Sequence, residues 1–237
     1  MDRSAHAARI AGILAAVAAL SGCDGELIHL GNGQTTFDGG GCAHSQVAAD
    51  QVLWIGDSWV LVPGNQHTGV RDLARAAGAI GPNDDYTIGA AAAAMMADVA
   101  AQYTAQEAGA TKVKVLIMDG GTWDTIQSNG SAASIDSVAA TFTQLLATVA
   151  GDGTVTDVVY FLVPALSGVP GVAELRPLLT QACTESVVPC HFLDLSSLWS
   201  GHPEYDTGGT IPVPTSAGGT VIADALWGLM QASCIAQ

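Results

Sequence analysis

Charge is what this sequence has least of, and positive charge above all. Only 12% of the 237 residues are charged, and 7 lysines and arginines stand against 22 aspartates and glutamates, a formal net charge of −15. A chain so short of cations has no surface with which to neutralise a phosphate backbone, so nucleic acid is excluded as a partner. Little charge together with 49% hydrophobic residues also excludes a disordered polymer. The 6 histidines and 5 cysteines are too scattered to form the C-x2-C or H-x3-H pairs of a structural zinc site, so neither a metal nor a cofactor is expected. The apolar run 10–20 is about half of the ~20 residues that a membrane-crossing helix needs. What remains is a compact chain of single-domain length.

The amino end reads as a targeting segment. Arg3 and Arg9 precede the short apolar run, and small residues follow it, which is the pattern of an export signal over residues 1–22. The tetrad Leu20-Ser21-Gly22-Cys23 resembles the lipobox of bacterial lipoproteins, and that resemblance makes Cys23 a lipidated new amino terminus on the cell envelope. The alternative is an ordinary signal peptide with Cys23 a spare thiol. Residues 24–50, rich in Gly, Asn, Gln, Thr and Asp, read as a tether, and residues 51–237 as the domain it carries. With Cys23 acylated, an even number of cysteines remains for disulfides in an oxidising compartment. Cys183 and Cys190 enclose a turn-like stretch with Pro189 and are natural partners, which leaves Cys42 with Cys234. No lysine or arginine clusters near these sulfurs to lower a thiol pKa, so a catalytic cysteine is not expected.

From residue 51 short apolar runs alternate with longer amphipathic ones. Strands are expected at 52–55, 86–88, 113–118, 158–163 and 191–195, and helices at 68–79, 92–107, 134–150, 172–183 and 216–232, with Ser134 as an N-cap and Gly151 as a stop. Such alternation implies an α/β fold, a three-layer α/β/α sandwich around a five-stranded parallel sheet, with ligands at the carboxyl ends of the strands.

The first strand ends in Trp54-Ile55-Gly56-Asp57-Ser58-Trp59. A serine at a strand-to-helix turn projects its hydroxyl into the crevice above the sheet, where backbone N–H groups can meet it, so Ser58 is the candidate nucleophile. This block resembles the first block of SGNH/GDSL hydrolases, three-layer α/β/α serine esterases, lipases and carbohydrate deacetylases, and the resemblance extends in order over most of residues 51–232. It implies a backbone N–H from Gly89 in an oxyanion hole. It places Gly121 and Asp124 of Gly121-Thr122-Trp123-Asp124 on the family's third block, but with Trp123 where the family has an asparagine amide donor. In the last block, ahead of the well-matched helix at 216–232, Val213 falls at the histidine position and Thr210 at the aspartate position. Neither does acid–base chemistry.

His202, followed by Pro203 with Glu204 and Asp206 nearby, is the candidate substitute base; His67 and His191 read as packed or surface residues. Asp57 and Asp124 also have structural readings, as a helix cap and a loop tie, and Trp54, Trp59 and Trp227 read as core or pocket wall. The expectation is therefore an exported, lipid-anchored serine ester hydrolase acting on a small ester or an acylated glycan, touching the membrane only through its lipid. The alternative is a catalytically silent lipoprotein of the same fold that binds a ligand or partner in the crevice.

Overall fold

The computed structural model describes residues 47–61, 66–164, 169–208 and 213–235. The export signal, Cys23, Cys42 and most of the tether lie outside the described residues, as does Thr210. Five parallel strands form one sheet: β1 (Val52–Ile55), β2 (Thr87–Ile88), β3 (Val115–Met118), β4 (Asp157–Leu162) and β5 (Cys190–Asp194), in the order β2-β1-β3-β4-β5. β1 and β3 have no polar residue and are buried throughout, as strands covered by helices on both faces must be. Their register sets Ile55 beside Met118, so the residues that follow both strands emerge side by side.

Among the described residues eight helical segments surround the sheet: α1 (Ser58–Leu61), α2 (Gln66–Ala76), α3 (Met96–Glu107), α4 (Thr122–Gln127), α5 (Ala132–Asp152), α6 (Val172–Thr184), α7 (Ser196–Trp199) and α8 (Ser216–Ala232). α2 packs on α8, while α5 packs against both α3 and α6, giving two outer layers. α5 is long and apolar enough by length and composition to cross a membrane. Its buried Ile135, Val138, Phe142, Leu145, Leu146 and Val149, however, form a helical stripe turned to the core. Trp54, Trp59 and Trp227 are core residues.

Most element boundaries shift from expectation by one to four residues, and two helices, α5 and α3, show the physical reason. α5 begins at Ala132, where Ser131 is the N-cap and accepts the Ser134 N–H, and it runs past Gly151 to Gly153, whose φ of +66° ends it. Ala132 and Ala133 favour a helix without contributing to the apolar period, so the pattern starts late. The helix expected from residue 92 starts at Met96, because Ala93 adopts φ +57° and residues 91–95 form a loop. Cys183 and Cys190 form a disulfide that ties the end of α6 to the start of β5. Cys234 is also disulfide-bonded, and Cys42, its expected partner, lies outside the described residues.

Candidate active site

Strand order alone selects the place. The chain leaves β1 for β2 on one side and returns to β3 on the other, so a crevice opens between the carboxyl ends of β1 and β3. Gly56, Asp57 and Ser58 follow the first of these strands; Asp119, Gly120 and Gly121 follow the second.

Gly56 makes the turn at φ +140°. A Cβ there would lie 1.8 Å from Asp119 Oδ1, so only glycine fits. Gln102 on α3 clamps this residue from both sides: its Oε1 accepts the Gly56 N–H at 2.8 Å and its Nε2 donates to the Gly56 carbonyl at 3.1 Å. The Asp57 N–H donates to Asp119 Oδ1 at 2.7 Å, and Asp57 Oδ1 accepts the Trp59 N–H at 2.8 Å, capping α1. The turn is thus tied to β3 and α3 before Ser58 is reached.

Ser58 Oγ, half-buried, accepts the Ala93 N–H at 3.1 Å. The Ser58 N–H, first in α1, has no hydrogen-bond partner among the described residues. Together these N–H groups provide two donors beside the hydroxyl, the arrangement that stabilises a developing oxyanion. Gly89 does not supply this donor. Its N–H is spent on the Trp54 carbonyl at 2.7 Å, continuing the β1–β2 ladder, and the donor comes four residues later, from Ala93 in the left-handed conformation. Trp123 stands half-exposed in the first turn of α4, and its indole N–H makes no hydrogen bond among the described residues. Asp124 Oδ2 accepts the Met96 N–H at 2.9 Å, pinning the start of α3 to α4 and so fixing the loop that carries Ala93. Exposed Ala91, Ala92 and Met95 give that loop an apolar outer face.

None of the three histidines among the described residues bonds this serine. His191, second residue of β5, bonds Asp157, first residue of β4, at 3.1 Å; both sit at the amino ends of parallel strands, across the sheet from Ser58. His67 Nδ1 bonds the Val60 carbonyl at 3.3 Å and its ring meets Trp54 edge-on at 6.2 Å; burial lowers its pKa. His202 is exposed, with Nδ1 2.8 Å from Glu204 Oε1 and its ring stacked on Tyr205 at 4.5 Å. That bond holds the Glu204 carboxyl below its ordinary range. Tyr205 leads through Trp199 to Trp59, so three ring contacts separate His202 from the residue after the serine. Val213 is fixed by two hydrogen bonds to Thr207, which accepts at Oγ1 and donates from its N–H. Among the described residues no imidazole or carboxylate bonds Ser58.

Sequence reasoning missed three residues that build this site: Ala93, Gln102 and Asp119. Ala93 sits inside an alanine tract with nothing to mark it, and Gln102 interrupts no pattern. An acid directly after the apolar run 113–118 was the one available signal for Asp119. Burial pushes the Asp119 carboxyl well above its ordinary value, and the Asp57 charge adds to this. Burial likewise raises Asp57 and Asp124.

No protein-family model and no curated protein sequence matches the chain. Solved structures do. An acetyl xylan esterase superposes with a TM-score of 0.59 at 13% identity, over 74% of this chain and 97% of its own. A carbohydrate esterase of family 3 from Talaromyces cellulolyticus gives 0.57 at 18%, over 73% and 91%. A member of the lipolytic protein G-D-S-L family from Veillonella parvula gives 0.55 at 17%, over 74% and 95%. The fold of this chain is therefore that of the SGNH/GDSL hydrolases, shared at identities that speak for the fold and not for any one activity.

Proposed function

We propose that this chain is an exported serine ester hydrolase of the SGNH type, with Ser58 as nucleophile and a weak base. The observation that carries the reading is the Ser58 hydroxyl at the carboxyl end of β1, 3.1 Å from the Ala93 N–H and beside its own free N–H. In the reaction Ser58 Oγ bonds to the ester carbonyl carbon, and the carbonyl oxygen takes the negative charge and both N–H groups. The C–O bond to the alcohol then breaks as the alcohol leaves with a proton, and water releases the acyl group from Ser58. The Ser58 proton needs an acceptor. His202 keeps Nε2 unengaged while Glu204 holds Nδ1, the orientation a base requires, and a movement of residues 200–208 brings it to the serine. With no imidazole already in place, turnover falls by several orders of magnitude against a complete triad.

Two structural neighbours, an acetyl xylan esterase and a carbohydrate esterase, motivate the substrate class, a small ester or an acylated glycan. The apolar loop 91–95 beside Ser58 suits a short acyl group. Lipid attachment at Cys23, export by residues 1–22 and a tether over 24–50 complete the reading and set the domain at the cell envelope. A second reading is favoured by Val213, which occupies the histidine position and is locked to Thr207: a silent member of the fold that binds in the crevice without turnover.

Labelling by a fluorophosphonate and hydrolysis of nitrophenyl acetate, measured for the wild type, Ser58→Ala and His202→Ala, separate the two. The hydrolase gives slow labelling and turnover that vanish in Ser58→Ala and drop at least tenfold in His202→Ala. Hydrolysis persisting in Ser58→Ala removes the nucleophile assignment. A wild type that neither labels nor turns over, while still binding an acylated sugar, establishes the silent reading.

A further inference from the structure

The turn that carries Ser58 holds two buried carboxyl groups with no cation to balance them among the described residues. Asp57 is 3% and Asp119 1% exposed, and none of the ion pairs among the described residues involves either. Asp119 uses Oδ1 to accept the Asp57 N–H at 2.7 Å. Its Oδ2 is buried and meets no N–H or hydroxyl donor. The group within side-chain hydrogen-bonding reach of Asp119 is the Asp57 carboxyl. Two ionised carboxylates are acceptors only and cannot bond each other; one proton makes a donor of one and satisfies the orphaned oxygen. Asp57 already accepts the Trp59 N–H, so it is the better anion, and the proton belongs on Asp119.

We propose that Asp57 and Asp119 share a single proton, held by Asp119, and that this bridged pair is the positioning device of the Gly56-Asp57-Ser58 turn. Asp119 then grips Asp57 twice, accepting its amide N–H and donating to its carboxylate, while Asp57 passes the constraint to α1 through the Trp59 N–H. The charged and titratable groups felt by the pair are all acids. Beyond burial, the Asp124 charge also raises Asp57, and the Tyr160 hydroxyl, which donates to the Gly120 carbonyl at 2.7 Å, is pushed up by burial and then by the charges of Asp119, Asp57 and Asp124. A carboxyl raised in the folded state keeps a proton that the unfolded chain gives up above about 3.8. Stability from this source is therefore greatest in acid and is lost as pH rises through the raised folded value. The role for Ser58 rests on the reading above; the shared proton does not.

Asp119→Asn tests the pair, because an amide supplies the same acceptor and a donor that cannot be lost. The Asn variant melts above the wild type at pH 8, and the difference closes as pH falls towards 4. Carboxyl-carbon NMR of aspartate-labelled protein finds one resonance titrating far above the usual carboxylate range in the wild type and not in Asp119→Asn. Parallel melting curves across that pH range, or no such resonance, overturn the shared proton. Positioning is read from hydrogen exchange at the Asp57 amide: Asp119→Ala exchanges about 10–100-fold faster, and Asp119→Asn stays within about threefold of wild type. Equal exchange in the Ala variant and the wild type overturns the positioning role. If Asp119→Ala does not fold, the comparison moves to pH 8, where the wild-type amide loses protection that Asp119→Asn keeps; equal protection there is the overturning result. A wild type that no fluorophosphonate labels removes Ser58 as nucleophile and leaves all of these readouts standing.

Discussion

Gly56→Ala is the substitution with the largest consequence for its size. The new methyl would sit 1.8 Å from Asp119 Oδ1 and 3.0 Å from Val60 Cγ2, and at φ +140° the backbone is one that residues with a Cβ rarely adopt. Backbone strain of this kind costs roughly 1–3 kcal/mol. Moving Asp119 aside breaks its bond from the Asp57 N–H, and leaving that buried donor unpaired costs about 1–3 kcal/mol. Together these come to about 3–5 kcal/mol, a large part of the ~5–15 kcal/mol that holds a domain folded. For a domain of this size each kcal/mol moves the melting temperature by roughly 2–4 °C, so Gly56→Ala should melt about 10 °C below wild type by circular dichroism. Gly151→Ala is the matched control. Its Cβ meets nothing within 4 Å, and it lies inside α5, where alanine is favoured by up to about 1 kcal/mol. Melting of Gly56→Ala within about 3 °C of wild type, with the control unchanged, would refute the account of the turn.

Two further outcomes follow from a disulfide and a buried hydrogen bond. Replacing both Cys183 and Cys190 by serine opens a loop closed over a sequence separation of 7, which chain-entropy reasoning values at about 2–3 kcal/mol, and calorimetry should show the melting temperature lower by roughly 5–10 °C. Tyr160→Phe strands the Gly120 carbonyl, which accepts the Tyr160 hydroxyl at 2.7 Å in a buried setting, and should cost about 1–3 kcal/mol in urea unfolding; no change in midpoint would mean that water takes over the bond.

The sheet was legible because its strands are uniform. β1 and β3 are unbroken apolar runs, and a run buried on both faces needs no alternation to be recognised. The strand expected at 86–88 rests on the β-branched and apolar residues Tyr86, Thr87 and Ile88, and β2 keeps the last two of them. The start of α3 was misread because alanine favours a helix wherever tertiary contacts do not forbid it. Here the Ala93 N–H is drawn to Ser58 and the Met96 N–H to Asp124, so the chain turns left-handed between them and the helix starts later. The N–H expected beside Ser58 was assigned to Gly89 for a related reason. A glycine directly after a strand is the natural choice for an unusual backbone, but Gly89 continues the ladder and Ala93 takes the positive φ. Only the bond to Ser58 reveals this, and one-dimensional patterns carry no record of it.

The two halves of the site differ in what holds them, and this bears on why one is complete and the other is not. Gly56, Asp57, Gln102 and Asp119 are bonded into β1, α3 and β3, where nearly every neighbour is buried, so a change at any of them is a change to the core. Val213 and His202 lie on the connection from α7 to α8, partly exposed, where substitutions cost the fold little. A complete nucleophile turn beside an incomplete acid–base loop is therefore what folding alone would produce, and Gly56 and Asp57 are no evidence of catalysis. Ser58 is different. Its hydroxyl is half-buried and makes one hydrogen bond among the described residues, from the Ala93 N–H, which water could replace at little cost. Structure does not require a serine there, and chemistry at that oxygen does; for this reason the labelling of Ser58, rather than the intactness of the turn around it, decides between enzyme and silent fold.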